Sequence, residues 1–296
     1  MKRAVILIGV HKPGGGLKPL KTVGECVALM KQWAYNQGIP SSLVVSFTDL
    51  VDDERVTAPP ILDVVRKFGE VGVEKLVVYF AGHGFASNKG DYWLLSDAPE
   101  DSNAAVNVNG SLLNAKRYVF PHVVFISDCC RTATQSIRDG AVDGYIIFPN
   151  LDQRGQSKKT DEFPATLLGE PAYEIKIGEV YRSIYTETIV DALNGKYRDI
   201  LDVDPDGGSV LRGNPLRLFL PDELARRLRK IGKELPQDIC PDPSVSSDPP
   251  HWIAAFSPPA QLSRGPDADV PVRDLPPGPE LGPGSQPCPR HWHEGI

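Results

Sequence analysis

Two short segments of this 296-residue chain carry the side chains that nucleophilic chemistry needs. His83 stands between Gly82 and Gly84, and Cys130 closes the string Ser127-Asp128-Cys129-Cys130, 47 positions further on. A thiol attacks a carbonyl as its thiolate. It needs an imidazole to move the proton and N–H donors to hold the oxyanion that forms. Glycines on either side of His83 remove bulk, so that a substrate backbone can approach and the Gly84 amide is free to donate. The two segments together predict acyl transfer through Cys130, with His83 as general acid and base.

Other groups in these segments have plainer readings. Alternation along an extended chain turns Cys129 away from Cys130, which assigns it to the core. His122, at the start of an apolar run, is read as structural. Adjacent cysteines do not easily reach one tetrahedral ion and no second ligand pair stands nearby, so no zinc site is assigned to Asp128, Cys129, Cys130 and His83. Cys288, His291 and His293 lack a fourth ligand. DVDPDGG (202–208) places Asp202, Asp204 and Asp206 before a glycine in the manner of a calcium loop. Its twelfth position is Gly213 rather than a bidentate acid, so a turn is the stronger reading and Ca²⁺ the weaker one.

The elements around these groups follow from periodicity. AVILIGV (4–10), LVVSF (43–47), KLVVYF (75–80) and HVVFIS (122–127) are apolar runs of the kind buried on both faces of a parallel sheet. A further apolar run, GYIIF (144–148), is read the same way, and YWLL (92–95) as belonging to a side hairpin. Amphipathic stretches lie between the strands. One runs up to a C-capping Gly38, and another opens at Pro59-Pro60 with Ile61, Val64, Val65 and Phe68 on one face. NAAVNVNGSLLNA suggests a third helix or a mixed segment. Strand–helix alternation of this kind predicts an α/β three-layer sandwich, a mostly parallel sheet between helical layers. Reactive groups gather at the carboxyl ends of such strands, where both AGHG and SDCCRT emerge.

Residues 149–172 read as a polar loop. They are followed by a helix over 177–195, a strand LRLFL (216–220) and a helix over 221–235 that opens at Pro-Asp. From about residue 257 Pro and Gly dominate, and the tail 257–296 is expected to be disordered.

Composition narrows the function classes. Apolar residues make up 41% and charged residues 24% of the chain, and the net charge is -6, which argues against a nucleic-acid partner. No apolar run reaches the roughly 20 residues that cross a bilayer. The start imitates a signal peptide but runs into His11-Lys12-Pro13, and is read as a buried first strand. Five cysteines, two of them adjacent, make a poor disulfide framework and point to a reducing, cytoplasmic setting.

VVYFAGHG resembles the histidine motif of the caspase-like cysteine peptidases, and VVFISDCCRT is similar to the strand–Asp–x–Cys motif of metacaspases and bacterial caspase homologues. The His-to-Cys separation also agrees with the roughly 50 residues of caspase-type sequences. AVILIGV resembles the first strand of these proteins, and GEPAYE with YRSIYTETIVDALNG their small-subunit segment. The resemblance covers residues 3–256. It implies the caspase–haemoglobinase fold over 1–256, with a large-subunit-like region over 1–150, a linker loop over 151–172 and a small-subunit-like region over 173–256.

The resemblance also implies roles. His83 and Cys130 match the catalytic pair, and the amides of Gly84 and Cys130 match the oxyanion donors. Asp128 matches the acidic floor of the S1 pocket, which binds the residue before the scissile bond (P1) and would favour Arg or Lys there. The family's second S1 acid usually comes from an Asn-Asp pair on the first helix; the matching stretch here is Gly24-Glu25-Cys26, so that acid is either Glu25 or missing. The partners implied are protein or peptide substrates with a basic P1, together with an activating peptidase or a regulatory protein. No cofactor is implied. Zymogens of this kind are commonly cut between their halves, which makes Arg154, Lys158 and Lys159 candidate processing sites. Bacterial relatives act in stress, cell death and antiphage defence. The alternative is a catalytically silent binding module in a signalling or defence assembly.

Overall fold

The computed structural model describes residues 1–51, 54–131, 141–151, 157–166, 174–204, 207–232 and 251–256. Its central strands are β1 (Arg3–Gly9), β2 (Val44–Thr48), β3 (Lys75–Ala81), β7 (His122–Asp128) and β8 (Lys159–Pro164). They form a five-stranded, wholly parallel sheet in the order β2-β1-β3-β7-β8.

Successive side chains of a strand point to opposite faces, and the two cores divide accordingly. Val5, Leu7, Val77, Tyr79, Val124 and Ile126 face one layer. That layer is built from helices α1 (Val23–Asn36), α4 (Ile184–Leu193) and α5 (Gly213–Lys230). Ile6, Ile8, Leu76, Val78, Phe80, Val123 and Phe125 face the other, built from α2 (Ala58–Glu70) and α3 (Val108–Ala115). Within the first layer the Trp33 indole donates to the Leu193 carbonyl at 3.0 Å, fixing α1 against α4. This is the expected three-layer α/β sandwich.

A side sheet leaves the carboxyl edge of the main one. β4 (Gly84–Ser87), β5 (Gly90–Leu94) and β6 (Ala105–Asn107) pair antiparallel, with β5 in the middle. It grows directly out of the histidine segment, and Phe80 stacks on Trp93 at 4.9 Å to join the two sheets.

Four expectations need correction. The run at 144–148 forms no strand of the main sheet; Tyr145 makes one bridge to Val106, while Ile147 and Phe148 pack beneath the sheet with Phe120 and Phe125. The fifth strand is β8, inside the segment read as a polar linker. Its polarity is spent internally, since Asp161 accepts from His122 Nε2 at 2.9 Å with both side chains buried. Inward charge of this sort is a usual device of edge strands.

The helix expected from 177 starts at Ile184. Before it, β9 (Ile175–Ile177) and β10 (Val180–Arg182) form a hairpin whose two-residue turn begins at Gly178, φ +62°. The strand expected at 216–220 lies within α5, where Leu216, Leu220, Leu224 and Leu228 form one buried face at a spacing of four. That apolar stripe carries the helix through Pro221.

The acidic segment 202–208 begins in a hairpin of β11 (Asp202–Val203) and β12 (Ser209–Leu211), with Asp202 paired to Arg212 at 3.2 Å. β12 is extended by β13 (Ala254–Phe256), which seats the end of the described chain. No helix among the described residues is long and apolar enough to cross a membrane. The tail 257–296, with Cys288, His291 and His293, lies outside them.

Candidate active site

Strands β3 and β7 are adjacent in the middle of the sheet, and their pairing ends at Ala81 opposite Asp128. His83 and Cys130 each stand two residues beyond that last pair. Neighbouring strands are about 4.8 Å apart, so the register brings the histidine and cysteine segments out side by side at one edge. The Gly82 amide donates to the Asp128 carbonyl at 3.3 Å and continues the link past the strand ends. His83 and Cys130 both line a cavity of about 110 Å³, together with Leu20, Thr22, Asp128, Glu174 and Ser183.

The glycines have reasons more local than substrate access. A Cβ on Gly82 would lie 2.6 Å from the Phe80 ring. One on Gly84 would lie 2.7 Å from Cys129 Sγ and 2.9 Å from the Cys130 and Tyr92 carbonyl oxygens. Gly84 is therefore glycine because the histidine and cysteine segments touch there. The same contact makes the backbones of Gly84 and Cys130 neighbours.

His83 Nε2 lies 2.8 Å from the Lys18 carbonyl oxygen. A carbonyl only accepts, so Nε2 carries the hydrogen and Nδ1 is the basic nitrogen. Lys18 sits in the loop after β1, which is folded back on itself. The Leu20 amide donates to the His11 carbonyl at 3.0 Å, and His11 Nδ1 donates to the Leu20 carbonyl at 2.5 Å. Asp49, itself buried, anchors this loop by accepting the amides of His11 and Lys12 at 2.6 and 2.9 Å.

Of the three described cysteines, Cys26 and Cys129 are buried and Cys130 is half-buried; none is in a disulfide. Burial pushes the thiols of Cys26 and Cys129 upward, with negative charge nearby adding to the rise. Both are held as inert protonated thiols at neutral pH. Next to Cys130, Arg131 reaches Asp91 on β5 at 2.5 Å and the Thr166 carbonyl at 3.4 Å, tying the cysteine segment to the side sheet.

Asp128 faces the cavity from the end of β7. Its Oδ2 accepts from the Ser183 hydroxyl at 2.5 Å and from the Thr186 hydroxyl, and the Cys26 thiol lies at 3.9 Å. Burial pushes its carboxyl above the ordinary range; the two hydroxyls pull it back, and the charge of Glu174 adds to the rise.

Glu25 is exposed on α1 and does not line the cavity. The second acid there is Glu174, just before β9, whose Oε1 accepts the amide and the hydroxyl of Thr22, both at 2.7 Å. Only an acid beside the pair Ile175–Ile177 marked it in the sequence, and nothing marked the Lys18 carbonyl.

Among the proposed processing residues, Arg154 lies outside the described residues. The Lys158 amide donates to the Lys116 carbonyl at 2.8 Å, and Lys159 opens β8 in the main sheet. Both backbones are thus engaged in this structure. His122 is at the opposite, amino-terminal edge, 2% exposed against Asp161, as a structural residue.

No protein-family profile matches the chain, and no curated protein matches it by sequence. Among solved structures it is similar to caspase-1 from Spodoptera frugiperda, at a TM-score of 0.51 and 10% identity over 81% of this chain and 86% of that one. The fold is thus caspase-like, a parallel sheet between helical layers.

Proposed function

We propose that the chain is a cysteine endopeptidase that cuts protein substrates after a basic residue. What supports this above all is the register that ends β3 and β7 together, so that His83 and Cys130 border one cavity with a carboxylate on its wall. The Nδ1 of His83, left basic by the bond from Nε2 to Lys18, takes the Cys130 proton. The thiolate attacks the scissile carbonyl, and the amides of Gly84 and Cys130 hold the oxyanion. His83 then protonates the leaving amine, and water, deprotonated by the same nitrogen, hydrolyses the acyl-enzyme. The residues assigned these steps need no metal or organic cofactor.

A Cys130 thiol that must stay reduced suits a reducing compartment, which we assign as cytoplasmic. Activation is by a cut between the two halves, in the segment 152–162 that holds Arg154, Lys158 and Lys159; the agent is the enzyme itself or a second peptidase. Full activity from an uncut chain on a denaturing gel would reject this mode of activation.

The decisive experiment is a set of fluorogenic peptides that differ only at P1, applied to the wild type, Cys130→Ala and His83→Ala. Hydrolysis after Arg or Lys is expected from the wild type. Cys130→Ala should lose it, and His83→Ala should fall by at least about 10³-fold. Cleavage after Asp instead of Arg would overturn the specificity, and undiminished cleavage by Cys130→Ala the mechanism.

A further inference from the structure

The loop that meets His83 has little rigidity of its own. Between His11 and Leu20 it carries Gly14, Gly15 and Gly16 in succession, the last two at φ +66° and +74°. Glycines lose the most conformational freedom when a chain is ordered. Yet the Lys18 carbonyl oxygen stands 2.8 Å from His83 Nε2. The loop must be held from elsewhere.

The sheet shows from where. β1 lies between β2 and β3, with Gly9 opposite Thr48 on one side and Ala81 on the other. The loop therefore leaves the sheet between Asp49, the residue after β2, and His83, two residues after β3. On the β3 side the Val10 amide donates to the Ala81 carbonyl at 2.9 Å. On the β2 side Asp49, 5% exposed, accepts the successive amides of His11 and Lys12 on its two oxygens, as an anion is held in a backbone nest. Bonds to an ionised acceptor are among the stronger ones. The Ser96 hydroxyl lies 3.4 Å from Asp49 Oδ2 and itself accepts the Val56 amide at 2.8 Å. His11 then closes the loop twice, its carbonyl accepting the Leu20 amide and its Nδ1 donating to the Leu20 carbonyl. Lys18 stands two residues before that closure.

We propose that Asp49 is a positioning residue for His83, acting through His11 and the loop it closes to keep the Lys18 carbonyl on Nε2. This deepens the proposed function and rests on it. Burying a carboxylate is costly. What Asp49 secures is a glycine-rich loop fixed at its root, with an acceptor aimed at the general base. Once the root is freed, the imidazole can turn and exchange tautomers, and Nδ1 is basic for only part of the time.

The test reads the two ring nitrogens of His83 in ¹⁵N-histidine-labelled protein by two-bond ¹H–¹⁵N correlation, at about pH 8.5, where ordinary imidazoles are neutral. His83→Ala assigns the signals. The wild type should show the fixed Nε2–H form. In Asp49→Ala both shifts should move toward the averaged values of a free imidazole. Its kcat on the best peptide substrate should fall by about 10- to 100-fold, with a smaller change in KM. A second pair of variants tests the same link without touching the buried acid. His11→Leu removes the donor to Leu20 and should behave like Asp49→Ala. His11→Asn, whose amide nitrogen takes the place of Nδ1, should restore the fixed form and most of the rate.

Averaged shifts in the wild type overturn the proposal outright. So do fixed shifts in Asp49→Ala or His11→Leu when the near-ultraviolet circular dichroism is native. Equal losses of activity in His11→Leu and His11→Asn, with the His83 shifts unmoved, make both residues structural only and also overturn it. A wild type that cuts no peptide defeats the peptidase reading, and the shifts then uphold or reject the positioning on their own.

Discussion

Asp128 meets two opposed demands. The proposed substrate recognition wants its charge, while burial disfavours it and holds its pKa above the ordinary value. An acid with a raised folded pKa binds protons more tightly in the fold than in the unfolded chain. Stability therefore falls as pH rises from the unfolded pKa through the folded one. At neutral pH, burying this carboxyl therefore costs the fold stability. Asp128→Asn keeps the shape, and its carbonyl oxygen can still accept from Ser183 and Thr186. The variant is expected to melt above wild type at pH 7, to lose that advantage below the ordinary Asp pKa, and to turn over Arg peptides poorly. Thermal scans at several pH values check it; a lower midpoint at pH 7 would refute it. At this scale the sequence spoke clearly wherever the signal was local. His83, Cys130 and the buried Cys129 all sit within a few residues of strand ends. Glu174 and Thr22 were illegible as a pair, because 152 positions separate them and only folding brings them together.

Elements were legible in proportion to how their environment sorts polarity. β1, β3 and β7 are covered on both faces and read as apolar runs, whereas β8 buries Asp161 and Glu162 and reads as loop. The leucines of α5 are spaced by four, yet the apolar residues within LRLFL imitate a strand when taken out of that longer window. The junction of β3, β4 and β7 carries its own prediction. A methyl group at Gly84 meets the Cys129 sulfur and two carbonyl oxygens, none of which is the end of a flexible side chain. Gly84→Ala must push the histidine and cysteine segments apart, at a stability loss of about 1–3 kcal/mol. Peptidase activity should fall by more than this loss explains, since a shift of about 1 Å at a catalytic pair can cost about 10²-fold. Denaturant titration and kinetics on one preparation separate the two effects, and a Gly84→Ala enzyme of normal activity would contradict the contact.

Across the whole molecule the two ends of the sheet differ in character. At the amino-terminal edge Lys75 is 1% exposed, with its ammonium 3.3 Å from the centre of the Trp252 ring and donating to the Trp252 carbonyl. His122, Asp161 and His251 surround it, with Arg3 and Arg212 close by. Burial pulls the Lys75 pKa down to about 6, the two arginines assisting and Asp161 opposing. A base with a lowered folded pKa leaves the unfolded chain holding the extra proton between that value and about 10.4, so stability increases as pH climbs through this range. Between about pH 6.5 and pH 8 the slope contributed by Lys75 should approach about 1.4 kcal/mol per pH unit. Above that, the buried Cys26 and Cys129 thiols reverse the trend, because they ionise first in the unfolded chain. Urea midpoints for wild type and Lys75→Met test this: the variant should show a flatter profile, and parallel profiles would count against it.

The bond from the Gly82 amide to the Asp128 carbonyl has a consequence for how this site fails. The proposed pair, His83 and Cys130, follows two interior strands of the sheet, away from its frayed edges. The ladder amides of β3 and β7 that carry them should exchange with deuterium only through global opening, at rates that track the total unfolding free energy. Heat should accordingly silence the pair no earlier than it melts the molecule. Control of such a site then falls to the loops that admit or exclude a substrate, not to the chemistry beneath them.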